Sequence, residues 1–314
     1  MPALTPAESS ASREPTVVFD TLRGRLFGIA YRMLGSAAEA EDLVQDVWLR
    51  WQGTDRAAID DATGFLVATT TRLAINVVTS ARARREAYVG LWLPEPVDTS
   101  DDPELGAAKS EALELAVLLL LERLSPTERA AYVLREAFDY PHAQIASILD
   151  LTEEHVRQLV VRARKHVADE RRTSVSAAEQ RRLLHGFIAA AQRGDVASLE
   201  ALLAADVVSR TDGGGVPRAA PVPVSGRARV AKFTASFPAD FWAGATVVPV
   251  VANGAAGALL LRDDVPYAFV TVAASDAGVG DVLWILNPEK LRTIASSITA
   301  HRAADPSPGP AATE

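Results

Sequence analysis

The chain contains no cysteine in its 314 residues. That excludes disulfide scaffolds, thiolate metal sites, iron–sulfur clusters and cysteine nucleophiles together. Histidine is scarce as well: five scattered copies leave little from which to build a zinc site. No apolar run reaches the ~18 residues a membrane helix needs, and the longest candidate, Ala112–Leu121, is interrupted by Glu114. The N-terminal stretch has acidic and polar residues where a secretory signal has its apolar segment, so the chain is expected to be cytoplasmic. The composition that remains is that of a globular protein, with 48% hydrophobic and 23% charged residues and a mean hydropathy of +0.08. The length suggests two or three domains.

The net charge of −8 at first argues against a nucleic-acid partner, but it is unevenly spread. Residues 91–124 carry a net of −6, while 125–172 are balanced and the two ends carry −1 each. Two local basic runs stand out: Arg82, Arg84 and Arg85, then Arg157, Arg162, Arg164 and Lys165. Either run alone fits a solvated helix face as well as a binding face.

Residues 1–14 and 304–314 are rich in Pro, Ser and Ala and are expected to be disordered tails. From Val17 to about Tyr88 apolar residues recur at helical spacing, as in Leu22, Leu26, Ile29, Ala30 and Met33. Leu43, Val47 and Leu49–Trp51 mark a second helix, and Phe65 to Val78 a third. Leu91–Asp102, with its prolines and acids, reads as an extended linker. Beyond Ser174, helices at Ala177–Gln192 and Val196–Leu203 precede four strand-like runs, Thr246–Ala252, Ala258–Leu261, Tyr267–Val272 and Val282–Leu286. The expected fold is multidomain: all-α domains at 15–90 and 110–172, a linker at 91–109, and an α+β domain at 173–303.

Ser125-Pro126-Thr127-Glu128 combines a capping box with proline at the first helical position, so a helix should start at Pro126. Pro141 opens a short helix, His142–Leu149, and Asp150-Leu151 turns into a third capped by Thr152. At 100° per residue, Val156, Leu159, Val160, Ala163 and Val167 share one face of that helix. Gln158, Val161, Arg162 and Lys165 take the opposite face, with Arg157 and Arg164 at its edge. An apolar seam backed by a basic, amide-bearing face suits a helix that docks on its neighbour and enters the major groove; it also suits an amphipathic helix in a bundle.

These residues are where a resemblance becomes plain. "LREAFDYPHAQIASILDLTEEHVRQLVVRARKHV" resembles region 4 of the extracytoplasmic-function (ECF) sigma factors of bacterial RNA polymerase. "GRLFGIAYRMLGSAAEAEDLVQDVWLRW" resembles their regions 2.1 and 2.2, and "GFLVATTTRLAINVVTSARARRE" their regions 2.3 and 2.4. "WLPEP" at Trp92–Pro96, "DGGG" at Asp212–Gly215 and "NPEKL" at Asn287–Leu291 resemble the SigJ-type group, which carries a C-terminal SnoaL-like domain. Val216 stands where that group favours lysine.

The resemblance implies core RNA polymerase, through the β′ clamp helices and the β flap, and promoter DNA as partners. It implies no cofactor, metal, membrane or separate anti-sigma factor, and no enzymatic activity. It assigns Asp42, Gln45 and Asp46, spaced i, i+3, i+4 on a helix, to the polymerase surface, where a carboxylate face suits a basic partner. Arg72, Asn76, Arg82, Arg84 and Arg85 fall to the −10 element, and the polar loop at 53–63, with Asp60 and Asp61, to a flipped base. Thr152, Arg157, Gln158, Val161, Arg162, Arg164 and Lys165 fall to the −35 element, where arginine can read guanine and glutamine adenine. Trp92, Leu93, Pro94, Asp212, Gly213, Gly214, Gly215, Asn287, Pro288 and Lys290 are the expected regulatory contacts; simple turn chemistry at the glycines and at Asn287-Pro288 is the competing reading. Two other functions stay open at this level: a helix-turn-helix regulator with a ligand-sensing SnoaL-like domain, and an enzyme with an accessory DNA-binding part. For the latter, His185 and His301 have no acid at a telling spacing.

Overall fold

The computed structural model describes residues 6–86, 88–99, 113–170, 175–215 and 219–304. These residues form two compact units, one drawn from 1–88 and 102–172 and the other from 89–101 and 173–314.

The first unit is helical. It comprises α1 (Pro6–Leu34), α2 (Ala37–Gly53), α3 (Ala62–Glu86), α4 (Leu115–Leu121), α5 (Pro126–Tyr132), α6 (His142–Leu149) and α7 (Glu153–Glu170). Helix α1 begins inside the stretch expected to be a tail, and proline is tolerated there because its missing N–H is unpaired at a first helical position anyway. The Ser125–Glu128 capping box is formed at the start of α5. One π-helical turn, Val133–Ala137, continues that helix. Asp150 adopts a left-handed conformation, φ 57°, between α6 and α7 and makes the tight turn that the pattern predicts.

Sequence composition divided this unit into separate domains at 15–90 and 110–172; the structure packs the described parts together. Two long-range arginines explain why. Buried Arg129 of α5 donates through Nη1 to the Met33 carbonyl at the end of α1 (2.7 Å) and pairs with Glu122. Arg72 of α3 donates through Nε to the Ile148 carbonyl (2.9 Å) and through Nη2 to that of Ser147 (3.4 Å). Each arginine thus meets carbonyls at a helix C-terminus, where orphan acceptors and the helix dipole favour a cation. Arg32 is buried on α1 over the Phe138 ring, 5.1 Å from its centroid. Burial pushes its guanidinium down to about 10.

The second unit is α+β. It contains α8 (Ala177–Gln192), α9 (Val196–Leu202), β1 (Leu203–Asp212), β2 (Val224–Ser225), α10 (Arg227–Ala235), α11 (Ala239–Trp242), β3 (Thr246–Ala252), β4 (Ala255–Arg262), β5 (Val265–Ser275), β6 (Gly278–Ile285) and α12 (Pro288–Ala304). The sheet order is β2-β1-β6-β5-β4-β3, with β1 and β6 parallel and the other pairs antiparallel. The four predicted strand runs are β3 to β6. Strand β1 and helices α10 and α11 lacked a sequence signal and appear only here. Ala258, Leu260, Val270, Val272, Val282 and Trp284 share one face with Leu184 and Phe187 of α8 and Val230 of α10. Leu291 and Ile294 of α12 are buried. Helix α12 continues to Ala304; the expected tail beyond it, and Val216, lie outside the described residues.

The segment expected to be an extended linker belongs in part to this unit. Residues Leu93 to Val97 are buried. The Val97 N–H donates to Asn253 Oδ1 and the Asn253 N–H to the Val97 carbonyl, both at 2.9 Å. The Thr99 N–H donates to the Val251 carbonyl, and Asp98 bridges Ala252. The segment therefore partners the otherwise open edge of β3 at the Asn253-Gly254 turn, whose positive φ values fit a tight hairpin.

Candidate nucleic-acid interface and linker clasp

Helix α7 divides as its periodicity demands. Val156, Leu159, Val160, Ala163 and Val167 are at most 4% exposed. Arg157, Gln158, Val161, Arg162, Arg164 and Lys165 are all exposed, Val161 to 63%. Thr152 is exposed and serves as the N-cap, its Oγ1 accepting from the His155 N–H. Three of the arginines meet carboxylates: Arg157 with Glu153, Arg162 with Glu128 at 3.0 Å, and Arg164 with Glu136 at 2.7 Å. Half-exposed pairs of this kind contribute about 0–1 kcal/mol and yield readily to a stronger anion. Partial burial alone would raise the Glu128 carboxyl. Hydrogen bonds from the Ser125 hydroxyl, from Arg162 and from the Ser125 N–H outweigh it and hold that carboxyl below the usual carboxylate range.

On α3, Asn76 is exposed. Arg72, assigned to DNA by resemblance, is engaged with the α6 carbonyls described above. Arg82, Arg84 and Arg85 occupy the last turns of α3, but their side chains lie outside the described residues. Asp61 accepts from the Gly64 N–H at 2.9 Å and so caps α3; Asp60 is exposed in the preceding loop.

Asp42, Gln45 and Asp46 are exposed together on α2, while Leu43, Val47 and Trp51 are buried on its other side. Leu49, grouped with that apolar side by pattern, is instead 58% exposed. Asp42 and Gln45 also line a groove of about 350 Å³ between α1 and α2, with Phe19, Arg23 and Trp48. Arg23 pairs with Glu41 at its rim.

The motif residues of the second unit converge. Asp212, fully buried at the end of β1, accepts through Oδ2 from the Leu93 N–H (2.8 Å) and from Lys290 Nζ (2.6 Å). Its Oδ1 accepts from the Gly214 N–H at 3.2 Å. Lys290 also donates to the Leu93 carbonyl and lies over the Trp92 ring, 4.3 Å from its centroid. The clasp thus holds the linker backbone by both its N–H and its C=O, and pairs a buried charge with its opposite. Pro94 is buried beside it.

The glycines and Asn287-Pro288 supply the turns. Gly214 and Gly215 have φ of 53° and 87°; Gly213 does not share the positive φ expected of it. A Cβ on Gly214 would fall 2.5 Å from Asn287 Cγ. Asn287 Oδ1 accepts from the Glu289 N–H and starts α12, with Pro288 as its first residue. Sequence reading missed Asn253, and Thr293, which pairs with Glu95. The Asn-Gly dipeptide signalled a turn at Asn253 but not the strap it holds.

No group of acidic, histidine or cysteine side chains among the described residues could hold a metal, and no described helix is long and apolar enough to cross a membrane.

Comparison with known proteins places these features. The model for Sigma-70 region 2 matches residues 18–84, and that for Sigma-70, region 4 matches residues 114–167. The ECF RNA polymerase sigma factor SigJ of Mycobacterium tuberculosis (strain H37Rv) is 36% identical over 220 residues, spanning 68% of this chain and 70% of that protein. The "Probable ECF RNA polymerase sigma factor SigI" of M. tuberculosis (strain CDC 1551) is 34% identical over 194 residues, 60% of this chain and 67% of that one. The crystal structure of M. tuberculosis SigJ matches with a TM-score of 0.70 at 29% identity, covering 88% of this chain and 98% of the other.

Proposed function

The chain belongs to the ECF sigma factors of RNA polymerase, of SigJ type, and from that premise we propose that it joins core polymerase and directs initiation at promoters with a −35 and a −10 element. Helix α7 reads the −35 element: its arginines and Lys165 hold phosphates and Gln158 and Arg162 reach base edges. Asn76 and the basic end of α3 serve the −10 element. The carboxylate face of α2, Asp42, Gln45 and Asp46, meets a basic surface of the polymerase, the β′ clamp helices, while the β flap receives the α4–α7 part. The fused α+β unit modulates activity in place of a separate anti-sigma factor, through the linker it clasps. On this reading the protein is a cytoplasmic regulator and not an enzyme.

The observation that carries the proposal is the division of α7: five apolar side chains buried, six groups suited to DNA exposed on the other side. Arg72 takes a place in the −10 interface only after leaving the Ile148 and Ser147 carbonyls, so the α3–α6 packing opens when polymerase and promoter are engaged.

The test adds the purified full chain to sigma-free core polymerase and maps transcript starts. Specific initiation is expected, and it should change in Trp92→Ala, which removes the ring covering Lys290. DNA binding by the chain alone, with no initiation and no polymerase complex, would favour a self-sufficient helix-turn-helix regulator. Unchanged initiation and polymerase affinity in Trp92→Ala would remove the clasp from the mechanism.

A further inference from the structure

The exposed side of α7 carries one side chain that neither charge nor hydrogen bonding explains. Val161 stands there 63% exposed. Arg157 and Gln158 lie one turn before it, Arg162 follows it, and Lys165 lies one turn after, all of them exposed. Val160 and Ala163, on the apolar seam, are 1% and 0% exposed, so the packing of the helix is complete without Val161. Helix propensity does not favour it either. A branched Cβ loses rotamer freedom against the preceding turn, and valine is a poorer helix former than alanine, lysine or glutamine. Single exposed apolar residues are ordinary on protein surfaces. What sets this one apart is its setting: the surrounding cations and amide deter an apolar protein patch and attract a polyanion.

The major groove explains an apolar group in that company. Its base edges present hydrogen-bond donors and acceptors and a single apolar group, the C5 methyl of thymine. Arginine, lysine and glutamine satisfy the polar edges. The methyl is best covered by an apolar side chain, because both surfaces then leave water. Gln158 and Val161 are three residues apart, about 4.5 Å along the helix axis, and base pairs stack at about 3.4 Å. The two side chains can therefore meet the same or adjacent base pairs, where the amide suits an adenine.

We infer that Val161 reads a thymine of the −35 element through its C5 methyl group and so helps set which promoters this chain selects. The inference rests on α7 being the −35 helix and adds the base that one of its side chains requires. The contact consists of dispersion and water exclusion, with no hydrogen bond. Deoxyuridine pairs as thymidine does and lacks only that methyl, so it separates this contact from base pairing and from the polar edge.

The test uses holoenzyme reconstituted from the full chain and core polymerase, on the promoter fragment found by transcript mapping. The probes are copies of that fragment in which each thymine of the −35 element, on either strand, is replaced singly by deoxyuridine. One replacement is expected to weaken binding about fourfold, the worth of one methyl group taken out of water. Val161→Ser removes both methyls of the side chain at an exposed position. It should bind the thymine and deoxyuridine copies of that position equally and leave affinity for core polymerase unchanged. Indifference of the unsubstituted holoenzyme to every replacement would overturn the inference, as would a −35 element with no A·T pair. A methyl effect that persists in Val161→Ser would overturn it in favour of another side chain, and lost polymerase affinity in Val161→Ser in favour of a protein contact. Failure of the holoenzyme to form, or to bind any fragment specifically, would overturn the −35 reading itself and this inference with it.

Discussion

On α7, Arg162 and Arg164 rest on Glu128 and Glu136 at 3.0 and 2.7 Å with their side chains about half exposed; under the linker, Lys290 rests on Asp212 at 2.6 Å with both side chains buried. The chemistry is the same and the energetics differ. An exposed pair is solvated before and after it breaks, so a phosphate can replace its carboxylate at little cost. A buried pair has left water behind, and removing one partner strands the other. The helical unit therefore keeps its DNA-facing cations exchangeable, while the α+β unit holds its linker with a contact that is hard to break. Lys290→Ala is the largest perturbation of this contrast. It should destabilise the α+β unit by about 3–5 kcal/mol, read by denaturant unfolding through the fluorescence of Trp92, Trp242 and Trp284, with Trp48 and Trp51 replaced by Phe. A loss below about 1 kcal/mol would put the clasp in the same class as the surface pairs.

Replacing Arg162 and Lys165 with alanine tests the other side of the comparison. Each phosphate contact removed should lower the slope of log affinity against log salt by about 0.9, so the double variant in holoenzyme should lose roughly two units of slope. If Arg162 also reads a base, discrimination at that position should fall by about 1–3 kcal/mol. Folding stability should scarcely change, since both side chains are exposed and the Arg162–Glu128 pair is a surface one.

The same contrast explains what could be read from the chain. The face of α7 was legible because five apolar residues recur at helical spacing and the cations fill the remainder. The fold class was legible too, from helical patterns ahead of strand-like runs. Strand β1 was not, because Ser209, Thr211 and Asp212 are buried polar residues, and they erase the hydrophobic alternation that announces a strand. The partners of Arg72 and Arg129 were hidden for a different reason. Their bonds reach 75 or more residues along the chain to backbone carbonyls, which carry no sequence signal. The linker reads as extended from its prolines and acids, and Trp92, Leu93 and Pro94 as contacts from the resemblance; the backbone bonds of Leu93 to Asp212 and of Val97 to Asn253 carry no sequence signal of their own.

Glu128 is where the two kinds of interaction meet, and it gives the smallest expected effect. Its carboxylate closes the α5 capping box and also holds Arg162, so the group that orders the helix start competes with DNA for an arginine. A carboxyl held below its unfolded value of about 4.3 contributes stability that is complete above that pH and is lost as pH falls through the folded value. Acid should therefore loosen the start of α5 and release Arg162 together. In Arg162→Met the Glu128 carboxyl, followed by NMR titration, should rise only part of the way to its ordinary value, because both Ser125 hydrogen bonds remain. A full return would mean that the arginine alone holds the carboxylate. No movement would mean that the cap alone does, and that DNA can take Arg162 without disturbing the helix behind it.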